Sequence, residues 1–143
     1  MKTKKNEMDL IFWNYPENER IGRTAAAVFA AILNPTMEEI SDFKTAVSEA
    51  ITNAIIHAYP GKEGKIFMHL EREGREVTVH IRDEGVGIAD IQKSMEPMYT
   101  TLEEEERSGM GFTFMEAFSD EMRVESEPGR GTSVYLMKKM GGR

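Results

Sequence analysis

The sequence predicts an α/β two-layer sandwich, with helices covering one face of a mixed, mainly antiparallel sheet. Two observations carry that prediction. Lys65 to Arg72 and Glu76 to Asp83 alternate apolar and polar side chains as half-buried strands do. Two stretches with helical spacing of apolar residues come before them, and a second pair of alternating segments closes the chain. A doubly wound parallel sheet is excluded because the chain lacks the alternating strand–helix crossovers such a sheet requires.

Met8 to Tyr15 is rich in β-formers and stops at Pro16, which predicts a strand near a sheet edge. Asn18 is a candidate cap for a helix running through Ile21, Ala25, Val28, Phe29 and Ile32. Pro35 ends it, and Thr36-Met37-Glu38-Glu39 reads as a capping box opening a long second helix. Pro60-Gly61 closes that helix. In the next two segments Ile66, Met68 and Leu70 share one face, as do Val77, Val79 and Ile81; Glu73-Gly74-Arg75 between them predicts a hairpin. Gly85 to Ser108 is turn-rich. A short helix is expected from Gly109 to about Phe118, then strands at Met122 to Ser126 and Thr132 to Met137 around Pro128-Gly129-Arg130-Gly131.

The 143 residues are expected to form one domain, 1–143, long enough to bury a core. A net charge of −7 argues against a nucleic-acid partner, since phosphate neutralisation needs a basic surface. The absence of cysteine removes disulfides, thiolate metal sites and a cysteine nucleophile. Lys2, Lys4 and Lys5 are followed by Asn6, Glu7 and Asp9 in place of an apolar segment, so no signal peptide is read there. No apolar run approaches the ~18 residues that span a bilayer. The expectation is a soluble cytoplasmic protein with no membrane partner. The 11 methionines are most simply adaptable core filling.

Three segments carry chemistry. Glu49, Asn53 and His57 are each four residues apart, which on a helix stacks them on one face. Their neighbours are small or apolar, so the polar groups are costly to bury unless something satisfies them; a polar stripe facing water is the plainer account of this segment alone. Asp83-Glu84-Gly85-Val86-Gly87-Ile88 ends a strand and serves equally as a turn. Its functional reading is that Gly85 and Gly87 let backbone approach a flat ligand while the Asp83 carboxylate accepts a hydrogen bond from an exocyclic amine. Adenine offers that amine; guanine presents an oxygen. Ser108-Gly109-Met110-Gly111-Phe112 opens a helix with glycines, which weaken a first turn but suit backbone N–H groups that reach phosphate oxygens. No P-loop is present. Arg107, otherwise a surface charge in an acidic loop, is placed to pair with a terminal phosphate. ATP then gives Asn53 a role as the protein ligand of Mg²⁺, which takes few such ligands. Glu49, one turn away, becomes a general base. His57 reads as structural support, and His69 and His80 sit on strands and belong to no cluster.

These residues resemble the GHKL ATPase/kinase superfamily with its Bergerat ATP-binding fold. Glu49-x-x-x-Asn53 is similar to the N box, Asp83-x-Gly85-x-Gly87 to the first glycine box and Gly109-Met110-Gly111 to the second. Gly131-Thr132 is similar to a late Gly-Thr whose Thr supports the adenine. The likeness is closer to the anti-sigma-F factors of spore-forming bacteria. It runs through residues 47–57, 81–90 and 106–113, with Asn34 to Glu39, Tyr99-Thr100-Thr101 and Gly131 to Leu136, and is thinnest before Arg23 and in 61–78. Ala58 stands where that family has Gly. The resemblance implies a cytoplasmic homodimer that holds sporulation sigma factor F inactive and is an ATP-dependent serine kinase for the anti-anti-sigma factor. It implies that Glu49 activates the partner's serine, Asn53 holds Mg²⁺ and Asp83 reads adenine. It also implies that Thr100 to Ser108 form a lid over the γ-phosphate and that Arg23 touches protein partners.

Two other readings share these boxes. A histidine-kinase catalytic domain needs a phosphoacceptor His, and no His precedes His57. A nucleotide-gated binding protein would bind partners without moving phosphate. A water-directed GHKL ATPase fits less well, because those enzymes carry transducer domains.

Overall fold

A computed structural model describes residues 5–88 and 111–141. Its elements are β1 (Asn6–Trp13), α1 (Glu17–Ala31), α2 (Met37–His57), β2 (Lys65–Glu73), β3 (Glu76–Asp83), α3 (Gly111–Ala117), β4 (Glu121–Glu127) and β5 (Gly131–Lys139). The strands form one sheet in the order β1-β2-β3-β5-β4. Every pairing among the described strands is antiparallel, with no parallel pair among the described residues where a mixed sheet was expected. The helices lie on one face, giving the α/β two-layer arrangement.

β1 is an edge strand, as the Pro16 stop requires. Asn18 does not cap α1. The helix starts at Glu17 with Pro16 before it and no side-chain cap, while Asn18 Nδ2 donates to the Trp13 carbonyl at 2.8 Å and ties the strand end to the helix. Pro at the N-cap position already has the φ that a first turn needs. α1 ends ahead of Asn34, whose φ is +56°.

The capping box of α2 is complete. Thr36 Oγ1 accepts from the Glu39 N–H at 3.0 Å, and Glu39 Oε1 accepts from the Thr36 N–H at 2.8 Å. The same Glu39 oxygen accepts from the Gly141 N–H at 3.1 Å, so the cap also holds the chain beyond β5. The buried stripe of α2 is Phe43, Ala46, Val47, Ala50, Ile51 and Ala54. It meets Ala26, Phe29 and Ala30 of α1, Met115 of α3, and the inner face of the sheet: Ile66, Met68, Leu70, Val77, Val79, Ile81, Val134 and Leu136. Gly22 brings α1 close to α2, since a Cβ there would lie 2.8 Å from Ile51 Cδ1. The methionine reading is partly right: Met68, Met115 and Met140 are buried, while Met37 is 84% exposed.

β2 and β3 form the expected hairpin, turning at Gly74-Arg75 with Gly74 at φ +62°. No described helix is long and apolar enough to cross a membrane.

Candidate functional site

β3 and β5 place Asp83. It is the last residue of β3 and the one buried charged side chain among the described residues, 6% exposed. Its Oδ1 accepts from the Gly85 N–H at 2.9 Å and from the Thr132 N–H at 3.2 Å. Burial raises the Asp83 carboxyl above the usual carboxylate range, against the pull of those two N–H groups and of Arg82. Two donors on one oxygen set the carboxyl plane, which is what a recognition group requires. Thr132 Oγ1 lies 2.8 Å from Ser126 Oγ, and Ser126 Oγ accepts from the Ile88 N–H at 2.7 Å. The glycine turn, β4 and β5 are thereby joined in one polar network beside Asp83.

The C-terminal turn of α2 docks on the same turn. The Ala58 carbonyl accepts from the Val86 N–H at 2.9 Å. The Tyr59 hydroxyl accepts from the Glu84 N–H at 2.8 Å and donates to the Lys65 carbonyl at 2.5 Å. Ala58 sits at φ −68° and ψ −40°, ordinary helical values that need no glycine, so the departure at this position leaves the turn intact. Asn53 is five residues before Ala58, or ~7.5 Å along the axis. The helix that carries Asn53 and the Asp-Gly turn therefore meet at one end of the sheet.

The glycines have a structural reason that the sequence did not disclose. A Cβ at Gly85 would lie 2.0 Å from the Ala58 carbonyl oxygen, one at Gly87 2.1 Å from that of Glu127, and one at Gly131 2.1 Å from that of Asp83. Each seats one strand or turn of the protein against another.

Glu49, Asn53 and His57 are all half-buried on one face of α2. Burial, then the nearby Glu19 carboxylate, raises the Glu49 carboxyl above its ordinary range. Glu19 was not singled out in the sequence. It accepts from Ser48 Oγ at 2.8 Å and pairs with Arg23 Nε at 3.2 Å. Glu49 and Arg23 line one groove between α1 and α2, with Lys44 and Ser48 on its wall. Two residues given separate roles from the sequence thus share one surface; an α1 to α2 crossing, not sequence spacing, brings them together. The other side of α1 leaves Ile21, Val28 and Ile32 exposed at 59%, 69% and 66%.

Gly111 is the first residue of α3, which packs against α2. Thr100, Arg107, Ser108, Gly109 and Met110, and with them the expected lid and helix opening, lie outside the described residues.

Residues 12–138 match the family model of the histidine kinase-like ATPase domain, and the chain belongs to that family. A narrower group follows from its relatives. It is 53% identical over 136 residues to the anti-sigma F factor of Thermoanaerobacter sp. (strain X514), covering 95% of each chain. It is 52% identical over 135 residues to that of Clostridium acetobutylicum, covering 94% of each, and 48% identical over 139 residues to that of Pasteuria penetrans, covering 96% of this chain and 93% of the relative. Within the domain family, the chain falls among the anti-sigma F factors. Its fold is also similar to the crystal structure of the RsbU and RsbW domains of a Mycobacterium tuberculosis protein, at TM-score 0.66 and 18% identity, over 94% of this chain and 32% of that one.

Proposed function

We propose that this chain binds and inhibits sigma factor F and, as an ATP-dependent serine kinase, phosphorylates the anti-anti-sigma factor. The observation that carries the reading is the docking of the α2 end on the turn after Asp83, in a chain of this family. It puts a buried, doubly anchored carboxylate next to a helix bearing Glu49 and Asn53. In this reading Asp83 accepts the adenine N6 hydrogen, with Thr132 behind it, and Gly85 and Gly87 shape the turn that borders the base. The donor set suits Mg²⁺: one carboxamide oxygen from Asn53, on a half-buried face, leaves the remaining positions for phosphate and water. Asn53 would hold the ion, which would supply neutralisation of phosphate charge when bound. Glu49 takes the proton of the acceptor serine as its Oγ–Pγ bond forms and the bond to the ADP oxygen breaks. The raised pKa of Glu49 fits a base, because a stronger base accepts that proton more readily.

Arg107, Ser108, Gly109, Met110 and Gly111 are proposed to contact the phosphates, and Thr100 to Ser108 to form the lid over the γ-phosphate. Arg23 is proposed to meet the protein partners. Its place in one groove with Glu49 supports this, and the exposed Ile21, Val28 and Ile32 add an apolar face to the same helix. The protein is proposed to act as a cytoplasmic homodimer. Which partner binds can then depend on ATP or ADP, provided each partner prefers one nucleotide state.

The test is transfer of labelled phosphate from Mg·ATP to a purified anti-anti-sigma protein. Acid-stable label on a serine is expected. Acid-labile label would indicate a histidine acceptor. No label with nucleotide binding intact would leave a nucleotide-gated sigma inhibitor.

A further inference from the structure

On the face of the sheet turned away from the helices, β1 and β2 bring four ionisable side chains to one point. The register sets Asp9 directly opposite His69 and Glu7 directly opposite Glu71, and such pairs have Cβ atoms about 4.5–5.5 Å apart. His69 Nδ1 is 2.6 Å from Asp9 Oδ1. His69 Nε2 is 3.2 Å from Glu7 Oε1 and 3.0 Å from Glu71 Oε1. The sequence reading that His69 belongs to no cluster is therefore corrected. Alternation along β2 pairs His69 with Glu71, but the two β1 residues arrive only through strand register.

We infer that Glu7, His69 and Glu71 form a binding site for a divalent transition-metal cation of the zinc type, on the back of the sheet and separate from the nucleotide site. Three observations support it. First, the Asp9 carboxylate accepts a hydrogen bond from His69 Nδ1, and Asp9 and Glu71 hold the ring above its ordinary pKa, so a cation binds by displacing the proton from Nε2, the nitrogen aimed at the two glutamates. This is the carboxylate–histidine–metal arrangement, in which the outer carboxylate fixes the tautomer and raises the basicity of the ligand. Second, the spacing fits. A cation about 2.0–2.2 Å from each ligand at a near-tetrahedral angle separates ligand atoms by roughly 3.3–3.6 Å, and Nε2 stands 3.0 and 3.2 Å from its two oxygens, so the ligands need to part only by a few tenths of an ångström. The three ligand atoms all lie within 4.8 Å of one another. Third, Nε2 faces both carboxylates at once. A single proton on that nitrogen makes one good hydrogen bond, whereas a cation bridges both oxygens.

Imidazole with two carboxylates and no thiolate suits zinc or its first-row neighbours. Mg²⁺ prefers oxygen ligands and is not expected here. Lys5 Nζ, 3.4 Å from Glu71 Oε1, has to release that contact; its side chain is 46% exposed and free to turn into solvent. Thr78, His80 and Arg82 of β3 share this face with His69, and Arg82 is engaged by Phe67 and Glu84. A bound cation would cross-link the edge strand β1 to β2 and stabilise the folded chain by mass action.

The test uses the full chain, stripped with chelator and free of nucleotide, titrated with Zn²⁺ by calorimetry and by thermal unfolding. One equivalent of saturable uptake and a raised Tm are expected, with Mg²⁺ producing neither. His69→Gln should weaken binding at least 10-fold, and Asp9→Asn, which removes the supporting carboxylate without touching a ligand, about 10–100-fold. Far-UV circular dichroism checks that each variant is folded. Should His69→Gln not fold, Glu7→Gln on the exposed edge strand gives the same reading. No saturable uptake by the native chain, or the same affinity in the folded variant, would show that the cluster is an ion-pair network only and overturn the site.

Discussion

At the scale of the residue, Asp83 and Glu49 are two carboxyl groups that the fold makes reluctant to ionise. Asp83 is raised above its ordinary 3.8 chiefly by burial. Its contribution to stability therefore falls as pH rises from 3.8 through the folded-state value, and at neutral pH the ionised group is a cost. Asp83→Asn removes that cost and keeps an oxygen for the Gly85 and Thr132 N–H groups. Its Tm at pH 7 should equal or exceed that of the native chain, and the difference should vanish in acid. Nucleotide affinity should fall by about 10–10²-fold, because with its oxygen committed the amide presents N–H to the adenine amine, donor against donor. Unchanged ATP affinity in a folded Asp83→Asn would remove Asp83 from base recognition. Glu49 is raised above 4.5 by burial and by Glu19. Glu49→Gln should retain ATP binding and lose roughly 10²–10⁴-fold in transfer rate. Only ionised Glu49 accepts a proton, so the rate should rise with pH through the elevated Glu49 value. Glu19→Gln, which removes the like charge and preserves an acceptor for Ser48, should move that acid limb to lower pH. A limb that stays in place would assign the titration to another group.

At the scale of the element, the site depends on how closely backbone approaches backbone. Gly131 opens β5 at φ +105°, and a Cβ there would lie 2.1 Å from the Asp83 carbonyl oxygen. Gly131→Ala should destabilise the fold by at least about 1–3 kcal/mol through strain and overlap together, read as a lowered Tm or denaturant midpoint. It should also weaken nucleotide binding, because the N–H of Thr132 that anchors Asp83 is the next one along. Thr36→Ala should cost about 0.5–2 kcal/mol for the lost cap, with nucleotide affinity retained once folded, since the cap lies at the far end of α2 from Asn53. The comparison separates a glycine that builds the site from a cap that builds only the helix. The elements were also where the sequence was most legible. Thr36 to Glu39 and the alternation of 65–72 and 76–83 are local signals, set by one turn of helix or one face of a strand. Asn18 misled because an amide near a helix start can bond backward as easily as forward, and its donor found the Trp13 carbonyl.

At the scale of the whole molecule, what escaped the sequence was long-range pairing. Nothing local says that β5, not β4, lies beside β3, because either strand of the final hairpin has an edge to offer. The slide of β1 along β2 is equally silent, which is why His69 seemed solitary. The strand of the Asp83 turn and the helix of Asn53 were each readable, while their meeting through Ala58 and Val86 was not, since a carbonyl-to-N–H contact leaves no side-chain trace. The placement of β5 has a further consequence, for the order in which the protein becomes itself during synthesis. As the chain leaves the ribosome from its N-terminus, α1, α2 and the β2–β3 hairpin can assemble early from near neighbours, but β3 waits with an open edge. β4 emerges next and is not its partner. Only when residues 131–139 arrive is the edge closed and the sheet joined into one piece. Until then a nascent chain offers a strand that any other extended segment, including that of a second nascent copy, can pair with, and the closing strand brings Thr132 to Asp83 in the same event.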